Sequence, residues 1–254
     1  MTANQECPLA GKVAVVTGSS RRIGRATALG LARAGADVVV HARSSRDEIE
    51  AVADEIRALG RQSLALLGDV TSEADVTAVF KAVRDEFGRL DILINNAGIR
   101  GQRPFMEMTL EEWRAINSVI LDGAFLCSRE ALKLMTANGG GTIVNIGGVT
   151  GHIGAVNRAH VSTGKSGLIG LTKALAVEFA DRGVTVNCVA PGKIGGKRSA
   201  TAGESPPMPG GDNILVGREG ELEEAAYMIC ALCMPKARFV TGQTVHVSGG
   251  LYMP

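Results

Sequence analysis

The chain has 254 residues, of which 45% are apolar, 21% are charged and 33 are glycine; this composition is typical of a globular protein and excludes a disordered or fibrous one. The 27 Lys and Arg residues nearly balance the 26 Asp and Glu residues, which argues against a nucleic-acid-binding or membrane-surface protein. No apolar stretch approaches the ~18 residues of a membrane span, and the first residues lack the basic and apolar regions of an export signal. We therefore expect a cytoplasmic protein without a nucleic-acid or membrane partner.

Strand-like and helix-like segments alternate along the chain and are joined by short loops. The predicted strands are Val13–Thr17, Asp37–Ala42, Ser63–Leu67, Ile92–Asn95, Thr142–Ile146, Val184–Val189 and Thr244–Val247. The predicted helices are Ile23–Ala34, Arg46–Leu59, Glu73–Phe87, Thr109 to about Met135, Ala159–Ala180 and Glu221–Leu232. This alternation predicts a single α/β domain over residues 1–254, with a Rossmann-type, doubly wound, mostly parallel sheet of seven strands and helices on both faces.

The first predicted strand runs into a glycine-containing turn and then into a helix. The turn reads Thr17-Gly18-Ser19-Ser20-Arg21-Arg22-Ile23-Gly24. Backbone N–H groups and a positive helix end at such a turn face the pyrophosphate of a dinucleotide. We therefore expect Gly18, Ser20, Arg21, Arg22 and Ile23 to bind a cofactor. Arg22 stands where a glycine is common, which narrows the space for the phosphates but adds charge.

The end of the second strand indicates which dinucleotide is bound. It reads His41-Ala42-Arg43-Ser44 and lacks the acidic residue that binds the ribose 2′-hydroxyl of NAD. An arginine at this point suits a 2′-phosphate, and Arg21, Arg22 and Arg43 can surround one. The alternative is that these arginines are solvated at a strand edge. We predict that NADP(H) is preferred over NAD(H), with Ser44 beside Arg43 at the same end of the site.

The segment Gly192–Gly217 departs from the alternating pattern. It is long, polar and rich in Gly, Pro and Ser, and loops of this length inside compact domains are often binding loops or lids. We expect a mobile loop on the substrate side over residues 192–217. Its basic residues Lys193, Lys197 and Arg198 either face an anionic substrate or form a solvated basic loop, which is the more common role.

The five cysteines do not form a pattern typical of disulfides or metal sites. Their number is odd, and Cys230 and Cys233 lie in the apolar run AAYMICALCM. Packing in a core is the more common role of cysteines in such a run. We expect these two residues to be buried, and we expect no metal centre.

Several further motifs follow in a characteristic order. They are Asp69-Val70, Asn95-Asn96-Ala97-Gly98, Asn117, Asn187-Cys188-Val189-Ala190-Pro191-Gly192, and Thr241-Gly242-Gln243-Thr244 with Ser248-Gly249-Gly250. From Lys12 to Met253 the chain resembles the short-chain dehydrogenase/reductase family, in the single-domain branch that includes 3-oxoacyl-acyl-carrier-protein reductases. The resemblance implies contacts of the cofactor with Asp69, Val70, Asn95, Ala97, Gly98, Lys165, Pro191, Gly192 and Ile194.

The resemblance also bears on nicotinamide and on assembly. Ile194 stands where the family often has a threonine that holds the nicotinamide carboxamide, so backbone groups would have to replace that contact. The helices beginning at Thr109 and Ala159 resemble those that pair subunits in family tetramers. The resemblance therefore implies a homo-oligomer, a tetramer or a dimer.

The catalytic residues of the family are only partly present. The family's reaction centre resembles a tetrad of Asn, Ser, Tyr and Lys, in which Tyr and Lys lie four residues apart on one helix face. In this chain Asn117 and Lys165 match, but Val161 stands at the tyrosine position and Gly148 at the serine position. These two positions are thirteen residues apart, the usual family spacing. Neither Tyr227 nor Tyr252 lies in the motif.

Other side chains are candidates for the missing proton transfer. His160 is adjacent to Val161, but neighbouring helix positions differ by about 100°, so packing is its more common role. His152, Ser162 and Thr163 are weaker candidates. Lys165 is itself a proton donor if burial lowers its pKa, although binding of the ribose is its more common role.

The sequence therefore supports two main functions. The first is an NADP(H)-dependent oxidoreductase that acts on the carbonyl/alcohol pair of a small-molecule substrate through an altered centre of Lys165, Asn117 and His160. The alternative is a catalytically silent NADP(H)-binding sensor or partner subunit. A third, weaker hypothesis is proton abstraction or elimination by His160.

Overall fold

A computed structural model of the chain describes residues 7–195, 207, 209 and 213–254. Within these residues, seven strands form one parallel sheet in the order β3-β2-β1-β4-β5-β6-β7. The strands are β1 (Val13–Val16), β2 (Asp37–Ala42), β3 (Ser63–Leu67), β4 (Ile92–Asn95), β5 (Gly141–Ile146), β6 (Val184–Pro191) and β7 (Thr244–Val247). The inner strands are buried on both faces, as continuous apolar runs in a parallel sheet require.

Helices cover both faces of this sheet. They are α1 (Arg22–Arg33), α2 (Arg46–Ala58), α3 (Glu73–Phe87), α4 (Leu110–Asn117), α5 (Gly123–Ala137), α6 (Thr150–Ile153), α7 (Ala159–Phe179) and α8 (Leu222–Cys233). Helices α1, α2 and α8 contribute to the core on one face, and α3, α5 and α7 to the core on the other. The predicted Rossmann-type, doubly wound sheet is therefore confirmed. Among the described residues, no helix is long and apolar enough to cross a membrane.

The strand order places a crevice at one edge of the sheet. Strand β1 pairs with β2 on one side and with β4 on the other. Successive strands are therefore added toward one edge of the sheet from β1 to β3 and toward the opposite edge from β4 onward. In open α/β sheets, ligands bind outside the carboxyl ends of the strands at such a reversal. The loops after β1, β4 and β5 meet at this point, and they carry the candidate site.

The long helix predicted from Thr109 to about Met135 is divided in the structure. It begins as predicted, with a capping box between Thr109 and Glu112, but Ser118–Asp122 form a π-helical turn between α4 and α5. A π turn changes the direction of the residues that follow it and is frequent at functional sites. Here Gly123 packs closely on Val70, because a Cβ added to it would lie 2.8 Å from Val70 Cγ2.

Cys230 and Cys233 lie in α8 and belong to the core beneath α1, with exposed fractions of 7% and 5%. The Cys230 thiol lies 3.7 Å from the carbonyl oxygen of Thr27, and burial raises its pKa to about 12. The prediction that these two cysteines pack in the core is confirmed.

Only part of the predicted loop 192–217 falls within the described residues. Lys197 and Arg198, which were candidates for contact with an anionic substrate, lie outside them. At the start of the loop, Ile194 forms a β-bridge with Gly220, and Lys193 Nζ lies 3.4 Å from Glu219 Oε1. These contacts fix the beginning of the loop beside α8.

Gly24, in the first turn of α1, permits the closest approach at the reversal point. A Cβ added there would collide with Asn96 Nδ2 and with the carbonyl oxygen of Gly18. We expect Gly24→Ala to lower the free energy of unfolding by about 1–3 kcal/mol, as overpacking commonly does. Gly148→Ala is the matched control, because its Cβ would have no heavy-atom neighbour nearer than 3.7 Å. Thermal unfolding measures the stability of both variants. Equal melting temperatures for the two would contradict the close packing of Gly24 against Asn96 and Gly18.

Candidate active site

A cleft of about 420 Å³ lies at the carboxyl ends of the strands. The described residues that line it include all but one of the predicted cofactor residues. These are Gly18, Ser20, Arg21, Arg22, Ile23, Arg43, Ser44, Asp69, Val70, Ala97, Gly98, Lys165, Pro191, Gly192 and Ile194. Residues from six loops and from α7 thus converge on one cavity, although they are spread over most of the chain.

Asn95 is the predicted cofactor residue that the structure does not place in the cleft lining. This residue is only 5% exposed. Its Nδ2 donates to Ser128 Oγ at 2.9 Å and to Asn145 Oδ1 at 2.8 Å. Asn145 continues this network by donating to Thr172 Oγ1 at 2.9 Å. Asn95 therefore joins β4 to β5, α5 and α7 inside the protein, because the last position of β4 points its side chain into the core.

The neighbouring Asn96 holds the turn between β1 and α1. Its Nδ2 donates to the carbonyl oxygens of Thr17 at 2.9 Å and Gly18 at 2.8 Å. In return, Thr17 Oγ1 accepts from the backbone N–H groups of Asn96 and Ala97, each at 3.0 Å. The motif Asn95-Asn96-Ala97-Gly98 does not by itself predict this role of Asn96. Asn95 and Asn96 are adjacent in the sequence, and the sequence does not reveal which of these two side chains points toward the turn.

The turn after β1 has the backbone that a dinucleotide site needs. Gly18 has a φ of 62°, and Arg22 has a φ of 52°. The left-handed region costs a residue with a Cβ about 1 kcal/mol or more, which is why a glycine is common at the position of Arg22. The Arg22 guanidinium extends across the cleft and donates to the carbonyl oxygens of Ile194 at 3.3 Å and Gly195 at 3.2 Å. Arg22 therefore connects the turn after β1 with the loop after β6.

The end of the cleft formed by the turns after β1 and β2 is rich in positive charge. Arg21 and Arg43 are both exposed there. Burial lowers the pKa of His41, so its imidazole is neutral at physiological pH, and its Nδ1 accepts weakly from the Gly18 N–H at 3.5 Å. Asp69 is the one carboxylate among the described residues that line the cleft. Its position after β3 differs from the end of β2, where the acid that recognises NAD stands.

Lys165 lies at the opposite end of the cleft, on the second turn of α7. Its Nζ donates to the carbonyl oxygen of Ile146 at 2.5 Å. Burial, together with the positive charge of Arg100, lowers its pKa to about 8, although Cys188 acts in the other direction. An ammonium group has three protons to donate, so the bond to Ile146 leaves further protons for a ligand.

Val161 and Gly148 line the same end of the cleft. Val161 is 3% exposed and packs with Ile116, Ile120 and Leu168. A Cβ added at Gly148 would lie 3.7 Å from Thr150 Oγ1 and 3.9 Å from Lys165 Cγ, which are ordinary contact distances. The cavity wall beside Lys165 therefore presents neither of the two family hydroxyls, yet it has room for a side chain at Gly148.

The other catalytic candidates lie outside the cleft lining. His160 is 2% exposed, and its Nε2 would lie 3.2 Å from a Cβ built on Gly101; burial is the main reason that its pKa is lowered. Asn117 donates through Nδ2 to the carbonyl oxygen of Trp113 at 3.0 Å and lines a separate groove on α4. The structure therefore brings Lys165, but neither His160 nor the Asn117 side chain, to the cavity.

His152 belongs to a separate group of rings. Its Nε2 lies 3.1 Å from His246 Nε2, and its ring stacks on Tyr252 with centroids 5.0 Å apart. This group connects α6 with β7 and the C-terminal residues. His152 is therefore not among the described residues that line the cleft.

The fold and the cleft together define an α/β protein with a Rossmann-type sheet and a cleft at the carboxyl ends of its strands. A family model described as enoyl-(acyl carrier protein) reductase matches residues 18–252. The chain belongs to the short-chain dehydrogenase/reductase family of oxidoreductases.

Named relatives agree with this family. A 3-oxoacyl-acyl-carrier-protein reductase from Synechocystis is 42% identical over 246 residues, which cover 96% of this chain and 98% of that protein. The reductase of the same name from Aquifex aeolicus is 40% identical over 248 residues, or 97% of this chain and 100% of that one. A solved short-chain dehydrogenase/reductase variant from Serratia marcescens superimposes with a TM-score of 0.87 at 35% identity, covering 96% and 98% of the two chains.

Proposed function

We propose that this protein is an NADP(H)-dependent oxidoreductase that interconverts a carbonyl group and an alcohol, with Lys165 as the proton donor in place of a tyrosine. The observation that carries the proposal is the position of Lys165 Nζ. It lies in the cleft beside Gly148 and Val161, and its pKa is lowered to about 8. A proton donor works best when its pKa is close to the working pH.

The residues present fit a dinucleotide. The N-terminus of α1 and the N–H groups of the turn after β1 face the cleft, and positively charged helix ends bind phosphates. This turn lies close against the loop after β4, because a Cβ added at Gly18 would lie only 3.0 Å from Ala97 Cα. Arg21, Arg22 and Arg43 would hold the phosphates, while Lys165 would reach the ribose beside the nicotinamide.

In the reductive direction, a nicotinamide held in this cleft would supply the hydride for the carbonyl carbon. Lys165 Nζ–H donates a hydrogen bond to the carbonyl oxygen and then transfers its proton to it, so the hydride and the proton together give the alcohol. The amine left behind is neutral and takes a proton from solvent. The bond to Ile146 fixes the position of Nζ throughout.

The names of the relatives support the carbonyl/alcohol pair as the reacting group, since 3-oxoacyl-acyl-carrier-protein reductases are carbonyl reductases by name. The proposed role of Lys165 departs from the family tetrad. His160 and the Asn117 side chain have no substrate contact in this proposal, because neither lines the cleft. We further propose a homo-oligomer, which light scattering coupled to gel filtration tests.

Arg43 tests the cofactor proposal. We expect Arg43→Asp to weaken NADPH binding by about 100-fold, because it removes a charge-assisted bond to the 2′-phosphate and adds a like charge. NADH has no 2′-phosphate, so its dissociation constant should change little. Fluorescence titration of both cofactors measures the difference, with Arg46→Gln as a control on an arginine outside the cleft lining. Equal losses for NADPH and NADH would contradict the assignment.

A silent NADP(H)-binding protein is the second candidate function. It is favoured by Gly148 and Val161, which deprive the cavity of both family hydroxyls. The two functions differ in turnover and agree in binding. Incubation with NADPH and a panel of ketones, followed by detection of the alcohol, separates them. Alcohol formation supports the enzyme, whereas NADPH binding without product from any ketone supports the silent protein.

A further inference from the structure

The last two residues of β5 are each hydrogen-bonded to α7. Asn145 Nδ2 donates to Thr172 Oγ1 at 2.9 Å, and the carbonyl oxygen of Ile146 accepts from Lys165 Nζ at 2.5 Å. Thr172 follows Lys165 by seven residues. This spacing is two helical turns less about 20°, so both side chains leave the same face of α7. The strand is therefore bonded to one face of the helix at two levels, and Lys165 lies at the level of the cleft.

The bond between Asn145 and Thr172 belongs to a chain of buried polar side chains. Asn95 Nδ2 donates to Asn145 Oδ1 at 2.8 Å, and the Thr172 hydroxyl donates to the carbonyl oxygen of Leu168 at 2.7 Å. Asn145 and Thr172 are both 0% exposed. A buried donor that loses its partner is costly, and bonds in such a chain strengthen one another. The chain therefore favours one position of α7 relative to β4 and β5.

The position of Lys165 Nζ depends on this arrangement, because its own bond spans the same two elements. The lysine backbone belongs to α7, and the carbonyl of Ile146 belongs to β5. Lysine has a long, flexible side chain, so one bond holds Nζ in place only while helix and strand keep their separation. Burial is the main cause of the lowered pKa of this amine, with further effects of Arg100 on the loop after β4 and of Cys188 on β6. A displaced amine would be better hydrated, which raises the pKa of a lysine.

We propose that Asn145 and Thr172 are positioning residues, whose hydrogen bond sets the separation of α7 from β5 and thereby holds Lys165 Nζ at the carbonyl of Ile146. Neither of the two residues is among the described residues that line the cleft, so both act through Lys165. The effect on catalysis rests on the proposed function, whereas the effect on the amine itself requires no turnover.

Titration of the Lys165 amine tests this proposal directly. The whole chain is treated with a trace of acetic anhydride at a series of pH values, and peptide mass spectrometry follows acetylation of each lysine, since only the neutral amine reacts. For Lys165 in the wild type we expect a midpoint of about 8. Thr172→Val nearly keeps the side-chain shape but removes the hydroxyl. In this variant the midpoint should rise by about one pH unit or more, toward the ordinary lysine value of about 10.4.

Two control variants separate positioning from a general loss of stability. Thr172→Ser keeps the hydroxyl that accepts from Asn145 and should retain the midpoint. Thr185→Val removes a buried hydroxyl that lies 3.1 Å from Thr142 Oγ1 near the amino end of β6, away from the cleft, and should retain it as well. Thermal unfolding shows whether each variant is folded. If Thr172→Val does not fold, Thr172→Ala removes the same bond with a residue that favours helices.

Three results would overturn the proposal. The first is an unchanged Lys165 midpoint in folded Thr172→Val or Thr172→Ala. The second is an equal rise of the midpoint in Thr172→Ser or in Thr185→Val, because a general loosening of the fold would then explain the shift. The third is a wild-type midpoint near the ordinary lysine value, which would mean that Nζ is not held in its buried position.

Turnover measures the catalytic consequence. At saturating NADPH, kcat for ketone reduction should fall by about 10–100-fold in Thr172→Val, since a small misplacement of a reacting group costs up to this factor. The pH at which kcat declines should rise together with the midpoint. An unchanged kcat despite a shifted midpoint would contradict the catalytic role of the bond.

The outcomes separate this inference from the proposed function. If the wild type reduces no ketone, the proposed function fails, while acetylation still decides whether Thr172 positions the amine. If the wild type reduces ketones but the midpoint does not move in Thr172→Val, only the positioning role fails.

Discussion

Introducing both family hydroxyls in the double variant Gly148→Ser/Val161→Tyr is expected to raise kcat for carbonyl reduction by about 10²–10⁴-fold. A positioned general acid typically contributes this factor, and a donor to the developing oxyanion contributes a similar or smaller one. The gain should be below the product of the two factors, because catalytic groups that act together are not additive.

The structure favours this result at both positions. Gly148 has ordinary contact distances for a Cβ, and its φ is not in the left-handed region. Val161 already lines the cleft one helical turn before Lys165, so a tyrosine at this position would lie on the same helix face. Tyrosine is larger than valine and costs about 1–3 kcal/mol of folding stability if the neighbouring side chains of Ile116 and Leu168 must move.

Steady-state kinetics at saturating NADPH measures the gain, and each single variant is measured beside the double variant. Thermal unfolding and the dissociation constant for NADPH show whether the variants are folded. A double variant that binds NADPH like the wild type, but reduces ketones no faster, would contradict the placement of Gly148 and Val161 at the reaction centre.

Lys165→Met is expected to lower kcat by about 10²–10⁴-fold, since it removes the proposed proton donor. The comparison is made at saturating NADPH, because the same substitution removes a proposed contact with the ribose. His160→Ala is the matched control: it also replaces a titratable residue of α7, but one outside the described cleft lining, and it should retain turnover. Normal turnover in Lys165→Met, or loss of turnover in folded His160→Ala, would contradict the mechanism.

The pH dependence of the wild type gives a second view of Lys165. Reduction requires the protonated amine, so kcat in this direction should fall as the pH rises through about 8, the lowered pKa of Lys165. Oxidation of the alcohol requires the neutral amine and should rise over the same interval. The residual activity of Lys165→Met should lack this transition. A wild-type profile that is flat between pH 7 and 9 in both directions would contradict the role of Lys165.

The architecture was accessible from the sequence because its signal is repeated. Each buried strand is a short apolar run that ends at a turn residue, and apolar residues recur along each amphipathic helix with the helical period. The predicted boundaries of β2, β3, β4 and β7 therefore coincide with those of the structure. The π turn at Ser118–Asp122 was not predicted. It shifts the helical period within a continuous apolar pattern and carries no Gly or Pro that would mark an interruption.

The candidate site was predictable where the spacing of residues along a helix determines the directions of their side chains. Lys165 and Val161 are four residues apart on one helix and do share the cleft, while the adjacent His160 points elsewhere, as the 100° between neighbouring positions implies. Spacing gave no such guide for Asn95 and Asn96, since both lie at the end of a strand.

Transfer of deuterium from NADPH labelled at nicotinamide C4 tests the central claim most directly. The ketones used are those that the Gly148→Ser/Val161→Tyr variant reduces, because that variant shows that they enter the cleft. We predict that the wild type, with bound NADPH, transfers deuterium to the carbonyl carbon of the same ketones more slowly than the double variant, and that Lys165→Met slows the transfer by a further factor of about 10²–10⁴. Transfer by the double variant with none by the NADPH-bound wild type would contradict the claim that this chain catalyses the reaction without its family's tyrosine.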